Sequence, residues 1–199
     1  MQLDASRTSS CAARRRRDET GSTLIEVMIA TVILATGVLT MAQLFGAATA
    51  SNSAARANTF ATVLAQQKIE QLRSLTWGFD TQGLPISDFT TDTTVTPETP
   101  NGGTGLTPSP GNALQSNVVG YVDHLSETGQ IVGNQAVPPN TAVFTRRWSV
   151  EPLPTNPNNT LVLQVLVTRN RVRGQAEQGN VGRLLDEARV ITVKTRKTQ

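Results

Sequence analysis

The sequence has little from which a reactive or cross-linked site could be built. Its single cysteine, Cys11, rules out a disulfide within the chain, although exported domains of this size often carry paired cysteines. Stability must therefore come from packing. His124 is the only histidine, so with one cysteine the chain cannot supply the usual His/Cys set of a structural metal site. Aromatic residues make up 4 %, which leaves Val, Leu, Ile and Ala to fill the core. There is no glycine-rich phosphate loop and no dinucleotide fingerprint. Two further absences are positional: no charged side chain from Val27 to Ala55, and no proline from Gly21 to Leu84.

What is present is sharply segregated. Residues 1–21 hold five arginines (Arg7 and Arg14 to Arg17) against Asp4, Asp18 and Glu19. This segment thus carries +2 of the chain's formal charge of +3. The remainder is nearly neutral, and nucleic acid is not among the expected partners. The apolar run that starts at Leu24 is longer than the roughly 20 residues that cross a bilayer as a helix. A helix satisfies its own backbone there, and Arg14–Arg17 should hold residues 1–20 in the cytoplasm, sending the carboxyl end outward. A secretory signal peptide is excluded by the length of the run. A plain anchor fits the hydrophobicity but does not explain Glu26, a carboxylate three residues after Thr23. Thr23 and Glu26 fit the S/T-x-x-E capping box, and snorkelling to the headgroups is another ordinary role for such an acid.

The stretch Gly21-Ser22-Thr23-Leu24-Ile25-Glu26-Val27-Met28-Ile29-Ala30 resembles the processing site of type IV prepilins and type II secretion pseudopilins. The resemblance implies cleavage by prepilin peptidase after Gly21, methylation of the new amino terminus at Ser22, and retention of the apolar segment. It also implies that Glu26, the fifth residue after the cut, meets the terminal ammonium of a neighbouring subunit during assembly. Ser22 stands where the family generally has phenylalanine. Cys11 falls in the removed leader and has no expected role.

Helical periodicity continues past the charge-free run, with Ala57, Phe60, Ala61, Leu64, Ala65, Ile69, Leu72 and Leu75 at steps of three and four. The spacing predicts one helix over Thr23 to Thr76, roughly 80 Å long, apolar all round in its first half and amphipathic in its second. Gly78 is the expected stop. The segment Ala61 to Leu75 is similar to PilV-like minor pilins and to the small pseudopilins.

Residues 90–112 contain eight threonines, four prolines and four glycines and are expected to form a surface loop that buries little. Strands are expected at Val118–Leu125, with a turn back toward Ile131 and Val132, then at Ala142–Val150, Leu161–Thr168 and Ala188–Lys194. Leu161–Val167 is apolar on both parities, as a central strand would be. Short connections imply an antiparallel meander. The fold class is therefore α+β, the pilin fold: a long amino-terminal helix packed on a small antiparallel sheet. Its expected parts are a leader, 1–21; a membrane half of the helix, 22–50; an amphipathic periplasmic half, 51–77; a connecting loop, 78–117; and a sheet domain, 118–199.

Beside Asp123 and Ser126, His124 invites a triad, but alternate strand residues point to opposite faces; a surface or strand-end position is expected. Arg146, Arg147, Arg169, Arg171, Arg173 and Arg183, with Trp148, could form a basic patch; arginines at strand ends more often keep sheet edges from pairing. No catalytic residue, cofactor or metal is expected. The function implied by the resemblance is that of a minor pilin. It would sit first in the inner membrane and later in a cell-surface filament, with other pilin subunits, prepilin peptidase, the inner-membrane assembly platform and the lipid bilayer as partners. A type II secretion pseudopilin and an anchored periplasmic binding domain are the alternatives.

Overall fold

The computed structural model describes residues 23–170 and 187–197. One helix, α1 (Leu24–Ser74), is followed by seven strands: β1 (Trp77–Phe79), β2 (Pro85–Ser87), β3 (Val122–Leu125), β4 (Ile131–Gly133), β5 (Phe144–Pro152), β6 (Thr160–Arg169) and β7 (Glu187–Thr195). β1 and β2 form a two-stranded ribbon; the other five form an antiparallel sheet in the order β4-β3-β5-β6-β7. This is the expected α+β fold, a long apolar amino-terminal helix packed on an antiparallel sheet. The chain divides into two compact units, residues 1–48 and 49–199.

In the first unit every described side chain of α1 is exposed, including Leu24, Ile33, Leu44 and Phe45. Three threonines lie in this apolar stretch, and their hydroxyls are satisfied within the helix. Thr31 donates to the Met28 carbonyl at 2.8 Å, Thr36 to those of Ile33 and Val32 at 2.9 and 3.1 Å, and Thr40 to that of Gly37 at 2.8 Å. Such back-bonding lets a hydroxyl sit in hydrocarbon without an orphaned donor. The helix is long and apolar enough to cross a membrane.

In the second unit the helix is amphipathic. Ala61, Leu64, Ala65, Ile69 and Leu72 are buried and share a core with Trp148, Val150, Leu163, Val165 and Val167 of β5 and β6. Each large apolar side chain so buried contributes about 1.5–3 kcal/mol relative to exposure. The helix ends at Ser74, and Gly78, the expected stop, lies inside β1. The stop is made instead by Lys194 of β7, whose ammonium donates to the carbonyls of Leu72, Arg73 and Leu75. These are among the acceptors a helix leaves unsatisfied at its carboxyl end, and a cation there also meets the negative end of the dipole.

β6 is interior, between β5 and β7, as its apolar residues on both parities imply. The sheet is not a plain meander. β3 and β4 form a hairpin, but β5 pairs with the opposite edge of β3, so the chain returns past β3 along the segment that contains Pro138-Pro139. β3 also begins four residues later than expected. Val118–Tyr121 forms a turn, in which the Tyr121 N–H donates to the Val118 carbonyl at 2.9 Å and Gly120 takes φ 87°, a conformation open to glycine.

The threonine-rich segment is exposed over residues 96–102, as a surface loop would be, but is packed on either side of them. Thr93 and Leu106 are buried, and backbone bonds join Gly103 to Thr90, Gly105 to Thr91 and Leu106 to Asp88. Asp88 accepts from the Thr90 and Thr91 amides and the Thr91 hydroxyl, and Asp92 accepts from the Thr94 amide and hydroxyl. Composition alone misleads here because short polar side chains can satisfy a buried irregular backbone. A methyl group at Gly103 would overlap the Asp92 backbone. Gly103→Ala should therefore lower stability by about 1–3 kcal/mol, read as a shift in denaturant midpoint. An unshifted midpoint would mean that this segment is not held as described.

Candidate functional site

At the start of α1 the Thr23 carbonyl accepts from the amides of Glu26 at 3.0 Å and Val27 at 3.2 Å. The Thr23 N–H in turn donates to Glu26 Oε2 at 2.9 Å. This is the carboxylate half of the capping box that the Thr23/Glu26 spacing suggests: an acid three residues into the helix folds back on its first turn. It also places negative charge at the positive end of the helix dipole. Gly21 and Ser22, the expected cleavage and methylation positions, lie outside the described residues. Farther along α1, Gly37 and Gly46 have open space where a Cβ would stand, so another helix could approach their backbone closely.

The second unit contains a charged cluster inside its core. Asp123 of β3 accepts from Arg146 of β5 in a fork, Nε to Oδ1 at 2.9 Å and Nη2 to Oδ2 at 2.8 Å. Lys68 of α1 donates to Asp123 Oδ2 at 3.2 Å and to the Thr93 carbonyl. Arg146 Nη1 donates to the Leu64 carbonyl at 3.0 Å, and the Lys68 ammonium lies 3.7 Å from the centroid of the Trp148 ring. The side chains of Lys68 and Asp123 are fully buried and that of Arg146 nearly so. Two cations thus share one carboxylate. Burial pushes the Lys68 ammonium down to about 8, opposed by Asp123 and reinforced by Arg146. The cluster joins the helix, the threonine-rich segment and two strands; it offers no nucleophile beside a general base.

Two expectations are corrected by this geometry. His124 is not at the surface: it is fully buried, with Nε2 2.8 Å from the Gln135 carbonyl and Nδ1 3.1 Å from the Thr145 hydroxyl. Because a carbonyl only accepts, Nε2 carries a proton. Asp123 points the other way, into the helix-facing core, so pleat alternation does separate the two. Among the described residues these arginines neither gather into one patch nor guard an edge. Arg146 is buried on an interior strand, and Trp148 is buried with it. Arg147, on the opposite face, donates to Asn117 Oδ1 at 2.7 Å. Arg169 is exposed at the end of β6, and Arg171, Arg173 and Arg183 lie outside the described residues. Lys68 went unread in the sequence, although it sits on the stripe Leu64, Ala65, Ile69, Leu72 and its burial follows from that spacing. Among the described residues no group of three or more His, Cys, Asp or Glu side chains could hold a metal ion.

Compared with known families, residues 16–42 match the one described as the prokaryotic N-terminal methylation motif. The match covers Arg16, Arg17, Gly21, Glu26 and the first part of the apolar run. The amino-terminal segment is therefore type IV prepilin-like. No curated protein and no solved structure matches the chain.

Proposed function

We propose that the chain is a minor pilin, a structural subunit of a type IV pilus of the PilV-like kind, with no enzymatic activity of its own. Prepilin peptidase cuts after Gly21 and the new amino terminus, Ser22, is methylated. The subunit waits in the inner membrane through the apolar half of α1, with its carboxyl-terminal unit in the periplasm. The assembly platform then draws it into a filament, where contacts with lipid are exchanged for contacts with neighbouring helices.

The observation that supports this reading most is the position of Glu26, five residues into the mature chain and followed by 29 residues without charge. A carboxylate costs about 2.5–3.5 kcal/mol at the middle of a bilayer on insertion scales and less near the end of the span, where Glu26 sits in the first turn of α1. The bond from the Thr23 amide offsets part of that cost. A second subunit's terminal ammonium would pair with that charge and, because an ion pair is far stronger at contact in a low-dielectric medium than in water, would fix the axial offset between neighbouring helices. Gly37 and Gly46 permit the close approach that follows.

Glu26→Gln keeps the shape and can still accept from the Thr23 amide, but it cannot pair with an ammonium. The variant should be processed normally, with Ser22 as its first residue, yet be recovered in the membrane and not in sheared filaments. Incorporation at the unmodified level would remove the basis for the proposal, as would a mature protein that keeps Arg14–Arg17.

A further inference from the structure

Beyond the end of α1, within the second unit, lies a groove of about 590 Å³. Its walls are the last turn of the helix, β1 and β2, and the end of β7, which continues to Lys197 beside β1 through a parallel bridge to Gly78. Three cations border it, Arg73, Lys194 and Lys197, against one acid, Glu70. That acid is already engaged by Arg73 at 3.0 Å. Among the described residues neither Lys194 nor Lys197 has an ion-pair partner. The groove also has apolar lining, with Ile86 37 % and Val193 55 % exposed.

The cations crowd one another. Lys194 is pushed down to about 8, chiefly by burial, with Lys197 and Arg73 adding to the effect. The face of Trp77, which a nucleobase would need for stacking, is covered by Arg196 at 3.6 Å from the ring centroid. The Arg196 guanidinium is tied down by the carbonyls of Asn158, Gly78 and Ile86. The Lys194 ammonium is turned into the helix end, so no cradle of converging donors awaits a compact oxyanion. What remains open is a surface on which the exposed Lys197 lies in the same lining as the partly exposed apolar side chains of Ile86 and Val193. That pattern fits an extended chain with carboxylates on one side and aliphatic groups on the other.

We propose that this groove binds an extended acidic segment of a partner protein, with a carboxylate against the exposed Lys197, a second on the Arg73 donors that Glu70 leaves unengaged, and aliphatic side chains on Ile86 and Val193. The site lies outside the apolar half of α1, so subunits free of filaments should bind through it. The test uses the full processed chain in neutral detergent and a fluorescently labelled heptapeptide of alternating Glu and Val, read by anisotropy. Saturable binding is expected, weakening as salt is raised to about 0.5 M, where the screening length falls to a few ångströms. Lys197→Glu should weaken it roughly tenfold, as for a charge at an interface rim; the exposed side chain can be reversed without touching the backbone bridge. Ile86→Asp should do likewise, and a Lys/Val peptide should not bind. Absence of binding, binding by either variant as tight as the parent's, or displacement of the peptide by inorganic phosphate or a single-stranded oligonucleotide would each overturn the proposal.

Discussion

Replacing Asp123 by asparagine is expected to lower unfolding stability by about 3–5 kcal/mol, the usual effect of removing one partner from a buried ion cluster. The shape of the side chain is kept, so the loss is electrostatic. Arg146 and Lys68 would then face each other with no counter-charge, in a core where neither reaches water. The Leu64 and Thr93 carbonyls can accept their hydrogen bonds but cannot neutralise them. Chemical denaturation followed by circular dichroism measures the effect. A loss below about 1 kcal/mol, the range of an exposed pair, would show that the cluster is hydrated and not a buried one.

The companion prediction concerns Lys68 and runs the other way. Lys68→Met removes the surplus cation, leaves the Arg146–Asp123 fork intact and keeps an unbranched side chain against Trp148. At pH 7 the variant should be at least as stable as the parent, since well-packed apolar replacements of buried charges are often neutral or stabilising. Its advantage should shrink as pH rises. The folded protein holds the Lys68 proton with a pKa near 8 and the unfolded chain with one near 10.5. Between those values the unfolded state binds more protons, so the parent gains stability as pH increases. The strain of burying the charge is present in full below about pH 8 and is relieved toward pH 10.5. Lys194 shifts in the same direction, and Tyr121, whose pKa is raised by burial, in the opposite one. Both are common to parent and variant, so the difference between their midpoints isolates Lys68. A difference that stays constant from pH 7 to 10.5 would mean that Lys68 is not the group that titrates.

The same cluster explains where the sequence could be read and where it could not. The helix was legible because its signals are local: an acid at a fixed offset from Thr23, an unbroken apolar run, then a stripe at 3.6-residue spacing. The long strands were legible from apolar patterning, and β5, β6 and β7 fall within two residues of the expected bounds. Pairing order was not, because whether β5 joins β4 or returns to β3 depends on contacts far apart in sequence. The packed flanks of the threonine-rich segment were not legible, because their burial rests on side-chain oxygens bonding nearby amides, which composition does not reveal. Arg146 and Asp123 are separated by 23 residues, and nothing local marks them as partners. Lys68 is the instructive exception, since its place on the apolar stripe, between Leu64 and Leu72, signals burial without naming the acid that accompanies it.

The bonds from Lys194 to the last carbonyls of α1 join the final strand to the first element of the fold. During synthesis the end of the helix must therefore wait, frayed, until β7 has emerged. A product that terminates ahead of β7 would leave those carbonyls bare and expose the flank of β6 to other strands. Emergence of β7 and closure of the fold are in this way a single event, and copies cut short of it should be poor candidates for any orderly polymer.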